Sequence, residues 1–196
     1  MCGASEPVQC RPEDLYRAFV DLASGRISGP GIAETVRTIS DLRNVFREEQ
    51  RRSGMNQHQM VYYVRSFKPV PEGTQGGLFW GWTQINPGLV GDEYFMTKGH
   101  LHAKAECGEY YLTVAGEGAL ILMDANRRTW WKPMKAGTLD YVPGGVAHRV
   151  ANISNGPLTL LACWPSDAGH DYQSIERCHF GARLRLVSGA PRLVPE

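Results

Sequence analysis

The sequence predicts an all-β barrel or sandwich preceded by a helical extension. Three observations carry this. The chain is rich in turn formers, with 22 Gly and 12 Pro among 196 residues, as expected where many short strands are joined by tight turns. From about Met60 onward, β-branched and aromatic runs follow one another at close spacing. The regular strand–helix alternation of a doubly wound parallel sheet is missing.

Residues 1–11 carry little pattern. Pro12-Glu13-Asp14 reads as a helix start, with proline early and acids in the first turn. Leu15, Phe19 and Leu22 give that helix an apolar stripe. After a turn-rich break at Gly25–Gly31, the apolar residues Ile32, Val36, Ile39, Leu42, Val45 and Phe46 recur at steps of mostly three and four. That spacing predicts a second helix, broken near Ser40-Asp41. Residues 1–58 are therefore expected to form a mostly helical extension, 59–180 the barrel, and 181–196 a C-terminal arm. The arm can serve as an edge strand or reach a neighbouring subunit.

Barrel strands are expected at 61–64, 78–83, 93–97 and 109–114. Gly116-Glu117-Gly118 reads as a tight hairpin turn, with 119–123 as the partner strand. Further strands fall at 129–131, 138–142, 148–152 and 158–164. Trp80 and Trp82 share one face of their strand and suit core or pocket wall. Trp130-Trp131 suits barrel packing or a subunit contact.

Composition excludes several function classes. Lys plus Arg number 21 and Asp plus Glu 20, a net charge of +1, so there is no electrostatic case for nucleic acid or anionic lipid. No apolar run approaches the ~20 residues of a membrane helix. The first residues lack the basic-then-apolar pattern of a secretory signal. Five cysteines at irregular spacing, without a CxxC pair, fit a reduced, cytoplasmic protein.

Two short segments hold nearly all the chemical information. In the first, His100 and His102 lie two apart, so a strand presents both imidazoles to one point. Glu109 and Tyr111 share a face of the next strand by the same rule. In the second, the Pro143-Gly144-Gly145 turn can aim His148 inward. Three imidazoles and a carboxylate suit a divalent first-row metal. Glu106 and Glu109 compete for the carboxylate role. Glu109 is preferred for its spacing to Gly116, and Glu106 is expected to point out from its loop. Cys107 has no paired histidine to make it a nucleophile.

The segment from Gly137 through Pro143, Gly145 and His148 to Asn152 resembles the second metal-binding segment of the cupin superfamily. The first segment departs from the common cupin pattern, because six residues separate His102 from Glu109. Together, Thr97-x-Gly99-His100-x-His102 and Glu109-x-Tyr111, followed by Gly116-x-Gly118, resemble the cupin-type glucose-6-phosphate isomerases of archaea and some bacteria. The likeness spans roughly residues 35–170. It implies a cupin jelly-roll barrel and the interconversion of glucose 6-phosphate and fructose 6-phosphate through a cis-enediol. It implies metal ligation by His100, His102, Glu109 and His148, with Fe2+ or Mn2+ preferred and Ni2+, Zn2+ or Co2+ tolerated. Substrate phosphate is expected near Thr83, Thr97, Gly99 and Tyr111. Lys98 is not assigned to it, since it points away from Thr97 in a regular strand. Glu109 is the candidate proton carrier, and His170 lies where the family has a histidine near the sugar. Cys107 and Trp164 stand where tyrosines are common. A homodimer is expected.

Other readings of the same residues are a cupin dioxygenase, another sugar-phosphate isomerase or epimerase, and a non-catalytic sugar- or metal-sensing module. A dioxygenase consumes oxygen, whereas an isomerase works anaerobically without a redox partner.

Overall fold

The computed structural model describes residues 16–196. The helix start expected at Pro12–Asp14 lies outside them. The described chain opens with a small ribbon of β1 (Phe19–Val20) and β2 (Ile27–Ser28). β3 (Ile32–Thr38) follows, then a 3-10 turn at Ile39–Leu42 and a short helix, α1 (Glu49–Ser53). Next come β4 (Met60–Phe67), β5 (Leu78–Ile85), β6 (Leu89–Val90) and β7 (Glu93–Tyr94). β8 (Glu109–Ala115), β9 (Glu117–Met123), β10 (Thr129–Lys135) and β11 (Leu139–Val142) continue the run. The chain finishes with β12 (Ala147–Asn152), β13 (Leu158–Pro165), α2 (Tyr172–Cys178), β14 (Ala182–Val187) and β15 (Ala190–Pro195).

The all-β expectation holds, and helical content is minor. Six strands form one sheet in the order β11-β8-β13-β5-β4-β3. A second sheet has the order β10-β9-β12. The core between them includes Phe79, Phe95, Met96, Leu120, Ile121 and Leu158, all essentially buried.

The helix expected over Ile32–Phe46 does not form. Ile32–Thr38 is a strand that pairs antiparallel with β4 and joins the barrel's larger sheet. The three-and-four spacing was produced by two elements in succession. Val36 lies on the strand and is 49% exposed, whereas Ile39 and Leu42 lie on the 3-10 turn and are fully buried. β-Branched Ile32, Thr35, Val36 and Thr38 favour the extended backbone. Asp41 ends the strand by accepting a 2.8 Å hydrogen bond from the Thr38 N–H.

Gly116 is not the tip of a hairpin. β8 pairs with β11 and β13, while β9 pairs with β10 and β12. The chain therefore turns from one sheet into the other at this residue. Gly116 has φ +82°, and a Cβ there would lie 2.5 Å from the Pro157 carbonyl oxygen. Only glycine meets both demands.

Residues beyond 181 fold onto their own chain. β14 pairs with β15 and touches β7. Buried Arg183 fixes this hairpin, reaching Glu93 at 3.3 Å, Glu196 at 2.6 Å and the Val45 carbonyl at 2.8 Å. Trp130 and Trp131 are half-buried and pack against the core.

Candidate metal centre and active site

The four residues singled out from spacing converge between the two sheets. Glu109 opens β8 in the larger sheet and His148 lies on β12 in the smaller. His100 bridges to His148 by reciprocal backbone hydrogen bonds of 3.1 and 3.0 Å. One potential ligand atom from each of His100, His102, Glu109 and His148 lies within 4.8 Å of the others. Glu109 Oε2 stands 3.0 Å from His148 Nε2, 3.3 Å from His102 Nε2 and 3.9 Å from His100 Nε2. Glu109, His102 and His148 are buried and His100 is nearly so. Glu106 is exposed.

The far side of two imidazoles sets the chemistry of the near side. His102 Nδ1 donates to the Cys107 carbonyl at 2.7 Å, and His148 Nδ1 donates to the Val146 carbonyl at 3.0 Å. With its proton on Nδ1, a neutral ring turns an Nε2 lone pair toward Glu109. Nitrogen lone pairs facing a carboxylate repel unless a cation lies among them. His100 Nε2 and His102 Nε2 are also buried without hydrogen-bond partners among the described residues. The donor set therefore fits one divalent first-row metal ion, and the buried His/His/Glu/His cluster forms a single candidate metal site.

Electrostatics agree with ligation. Burial alone would raise the Glu109 pKa. The close contacts of His102 and His148 with the carboxylate, and then the nearby His148 and His100 rings, outweigh it and hold the carboxyl far below its usual range. Burial, reinforced by His148, drives His100 well below the ordinary histidine value and keeps it neutral. Burial also opposes charge on His102, but Glu109 overrides it and raises that group. Tyr111 is pushed well above the phenol range by burial and by Glu109.

A cavity of about 220 Å³ opens beside this cluster. Thr83, Thr97, Gly99, Tyr111, Trp164 and His170 all line it. The Thr97–His100 stretch owes its shape to a bulge. Met96 pairs with Ala151 and His100 with His148, so the first strand has one residue more than its partner. Gly99 takes up the extra residue at φ +82°, where a Cβ would crowd Arg149 and Phe180 at 3.1 Å. The bulge breaks the two-residue alternation, so Thr97, Lys98, Gly99 and His100 all reach the cavity wall. Lys98 therefore shares the cavity wall with Thr97, where a regular strand would have turned it away. Lys98 Nζ contacts Glu176 at 2.6 Å and sits over the Tyr172 ring.

His170 lies 4.5 Å from the His100 ring and stacks on Tyr172 with an interplanar angle of 6°. Burial lowers its pKa, although Glu109 pulls the other way. Trp164 meets Phe79 edge-on. Cys107 supplies its carbonyl to His102. Burial raises its thiol pKa, so it holds a neutral thiol rather than a nucleophile.

Thr35, Arg37, Tyr62 and Tyr172 also line the cavity and were missed from sequence. Thr35 and Arg37 are two apart on β3, a signal hidden by the helical reading of that segment. Burial pushes the Tyr62 hydroxyl up to about 12.

A jelly-roll barrel with three histidines and a carboxylate between its sheets defines a cupin metal protein. The family model described as glucose-6-phosphate isomerase matches residues 36–194. Glucose-6-phosphate isomerase of Thermococcus onnurineus is 40% identical over 176 residues, covering 89% of this chain and 91% of that protein. The glucose-6-phosphate isomerase of Pyrococcus furiosus is 36% identical over 182 residues, covering 93% and 95%. A solved structure of Bacillus subtilis oxalate decarboxylase aligns with a TM-score of 0.45 and 19% identity, over 56% of this chain and 26% of that one. The chain belongs to the cupin-type glucose-6-phosphate isomerase family of archaea and bacteria.

Proposed function

We propose that the chain interconverts glucose 6-phosphate and fructose 6-phosphate by moving a proton between C1 and C2 of the open sugar. The observation that carries this reading is Glu109 set among His100, His102 and His148 beside a cavity of about 220 Å³, in a chain of this family. A divalent metal held by these four residues supplies a Lewis acid that polarises the sugar carbonyl. Fe2+ or Mn2+ is the proposed ion, since mixed imidazole and carboxylate donors suit both.

Glu109 is the proposed proton carrier. One of its oxygens is turned to the three imidazoles, and because metal contact lowers a carboxylate's basicity, Glu109 would have to release or share that contact to take the proton. Thr83, Thr97, the Gly99 backbone and Tyr111 are proposed to hold the phosphate, with hydroxyls and N–H groups as donors. His170, which lines the cavity and whose pKa burial lowers, is proposed to move the ring-opening proton. Trp164 supplies an apolar side and cannot act as a phenol.

A homodimer is supported by the exposed apolar side chains Tyr110, Leu139 and Tyr141 on the β8–β11 edge. No described helix is long and apolar enough to cross a membrane. The free thiols Cys107, Cys163 and Cys178 support a reducing, cytoplasmic setting. The decisive experiment is an anaerobic coupled assay of fructose 6-phosphate conversion, with chelator and metal add-back. Turnover restored by Fe2+ or Mn2+ is expected. No turnover with any first-row metal would sink the reading, and oxygen uptake would favour a dioxygenase.

A further inference from the structure

Arg149 follows His148 on β12 and projects to the opposite face of that strand. Its side chain is buried, with the residue only 4% exposed, and the guanidinium lies 4.2 Å from the centre of the Phe180 ring. Arginine stays protonated inside proteins, so this is a buried charge. Its Nε and one of its terminal nitrogens, Nη2, have no hydrogen-bond partner among the described residues. The Phe180 ring offsets part of the charge but accepts neither N–H in the guanidinium plane.

Neighbouring carboxylates are committed elsewhere. Glu93 and Glu196 hold Arg183, and Glu176 holds Lys98. Beside Arg149 lies a small, partly open pocket of about 20 Å³, walled also by Arg43, Lys98, Gly99, Tyr172 and Arg183, with the Glu176 carboxylate on the same wall. It is separate from the larger cavity, and Lys98, Gly99 and Tyr172 stand between the two. Its volume admits one particle about the size of a water molecule and excludes a sugar phosphate.

We propose that this small cavity binds a compact inorganic anion of halide size, held by the free N–H groups of Arg149 and by the charge of Arg43. A halide accepts from both N–H groups and neutralises a cation that pairs with no carboxylate among the described residues. The bound ion backs the Lys98–Gly99 bulge and the start of α2, so it braces the wall shared with the larger cavity.

The test soaks crystals of the unaltered protein in 50 mM-scale sodium bromide, a concentration of roughly the order of physiological ionic strength, and maps bromine anomalous density. A peak in contact with Arg149 Nη2 is expected. No peak, or one that appears only at molar bromide and so marks an adventitious ion only, overturns the proposal. In solution, thermal midpoints are compared in sodium bromide and sodium methanesulfonate at equal ionic strength. The midpoint is expected to rise with bromide alone, and Arg149→Met is expected to abolish the difference. Equal responses to the two salts, or an unchanged bromide response in Arg149→Met, overturn it. Arg43→Met, at an exposed position that does not endanger folding, is expected to weaken the bromide response several-fold. An unchanged response overturns the proposal as well.

Discussion

Leu101 and Asp171 exchange backbone hydrogen bonds, 2.8 Å from the Asp171 N–H and 3.3 Å from the Leu101 N–H. Leu101 sits between two of the candidate metal ligands, and Asp171 sits between His170 and Tyr172. The metal centre and the stacked His170–Tyr172 pair are therefore joined through the main chain. Asp171 also caps α2, accepting from the Ser174 N–H at 3.0 Å and the Ser174 hydroxyl at 2.5 Å.

That cap predicts a pH-dependent loss of stability. The Ser174 hydroxyl, and then its N–H, hold the Asp171 carboxyl below its usual range. A depressed folded value means the carboxylate stabilises the fold above the unfolded pKa of about 3.9. The contribution is lost as pH falls through the folded value. Asp171→Ala should lower the thermal midpoint at pH 7, and the gap from the unaltered protein should close as pH falls through the lowered folded value. Midpoints recorded from neutral to acidic pH check this.

Glu109→Gln should reduce turnover by about 10²–10⁴ and also weaken metal retention. The variant keeps nearly the same volume, so it should fold. Steady-state kinetics with metal analysis by atomic absorption measures both effects, and full turnover would remove Glu109 from the proton-transfer step.

Metal removal should destabilise the protein. An ion present at about a hundredfold its Kd contributes ~2.7 kcal/mol when only the folded chain binds it. Urea denaturation with chelator and with restored Mn2+ should differ by that order. Identical curves would show that the cluster holds no ion.

Gly116→Ala should be disruptive although it adds one methyl group. The left-handed backbone costs roughly 1–2 kcal/mol for a residue with a Cβ, and the new atom would also press on the Pro157 oxygen. A drop of at least that size in unfolding free energy is expected. A silent substitution would contradict the crossing between sheets at this point.

Arg183→Met should destabilise strongly. It strips the partner from Glu93, itself only 2% exposed. Leaving a buried charge unpaired costs about 3–5 kcal/mol. Chemical denaturation of the variant measures the loss.

What was legible in the sequence followed short-range rules. The two-residue spacing sufficed to bring His100 next to His102, and the spacing of Glu109 to Gly116 to choose buried Glu109 over exposed Glu106. What escaped depended on partners remote in sequence. The Ile32–Phe46 stripe has helical spacing only because a strand and a 3-10 turn happen to abut. Lys98 reaches the cavity because of a bulge that becomes visible only when His148 and Ala151 are its neighbours. The Gly116-Glu117-Gly118 run looks like any hairpin until β13 and β12 draw its two arms into different sheets. Tyr172 carries a strong stacking contact with His170, yet its short helix has few apolar residues to announce it.

The pairing of β5 with β13, from Leu78↔Pro165 to Ile85↔Leu158, spans the entire stretch that carries the histidine and glutamate ligands. Pairing so remote in sequence must close a long loop before any contact rewards it, which slows folding. Glu109 lies on β8, which itself needs β13 as a neighbour. The four ligands therefore meet only once this long loop has closed, so metal binding stabilises the closed barrel as a whole rather than any one strand.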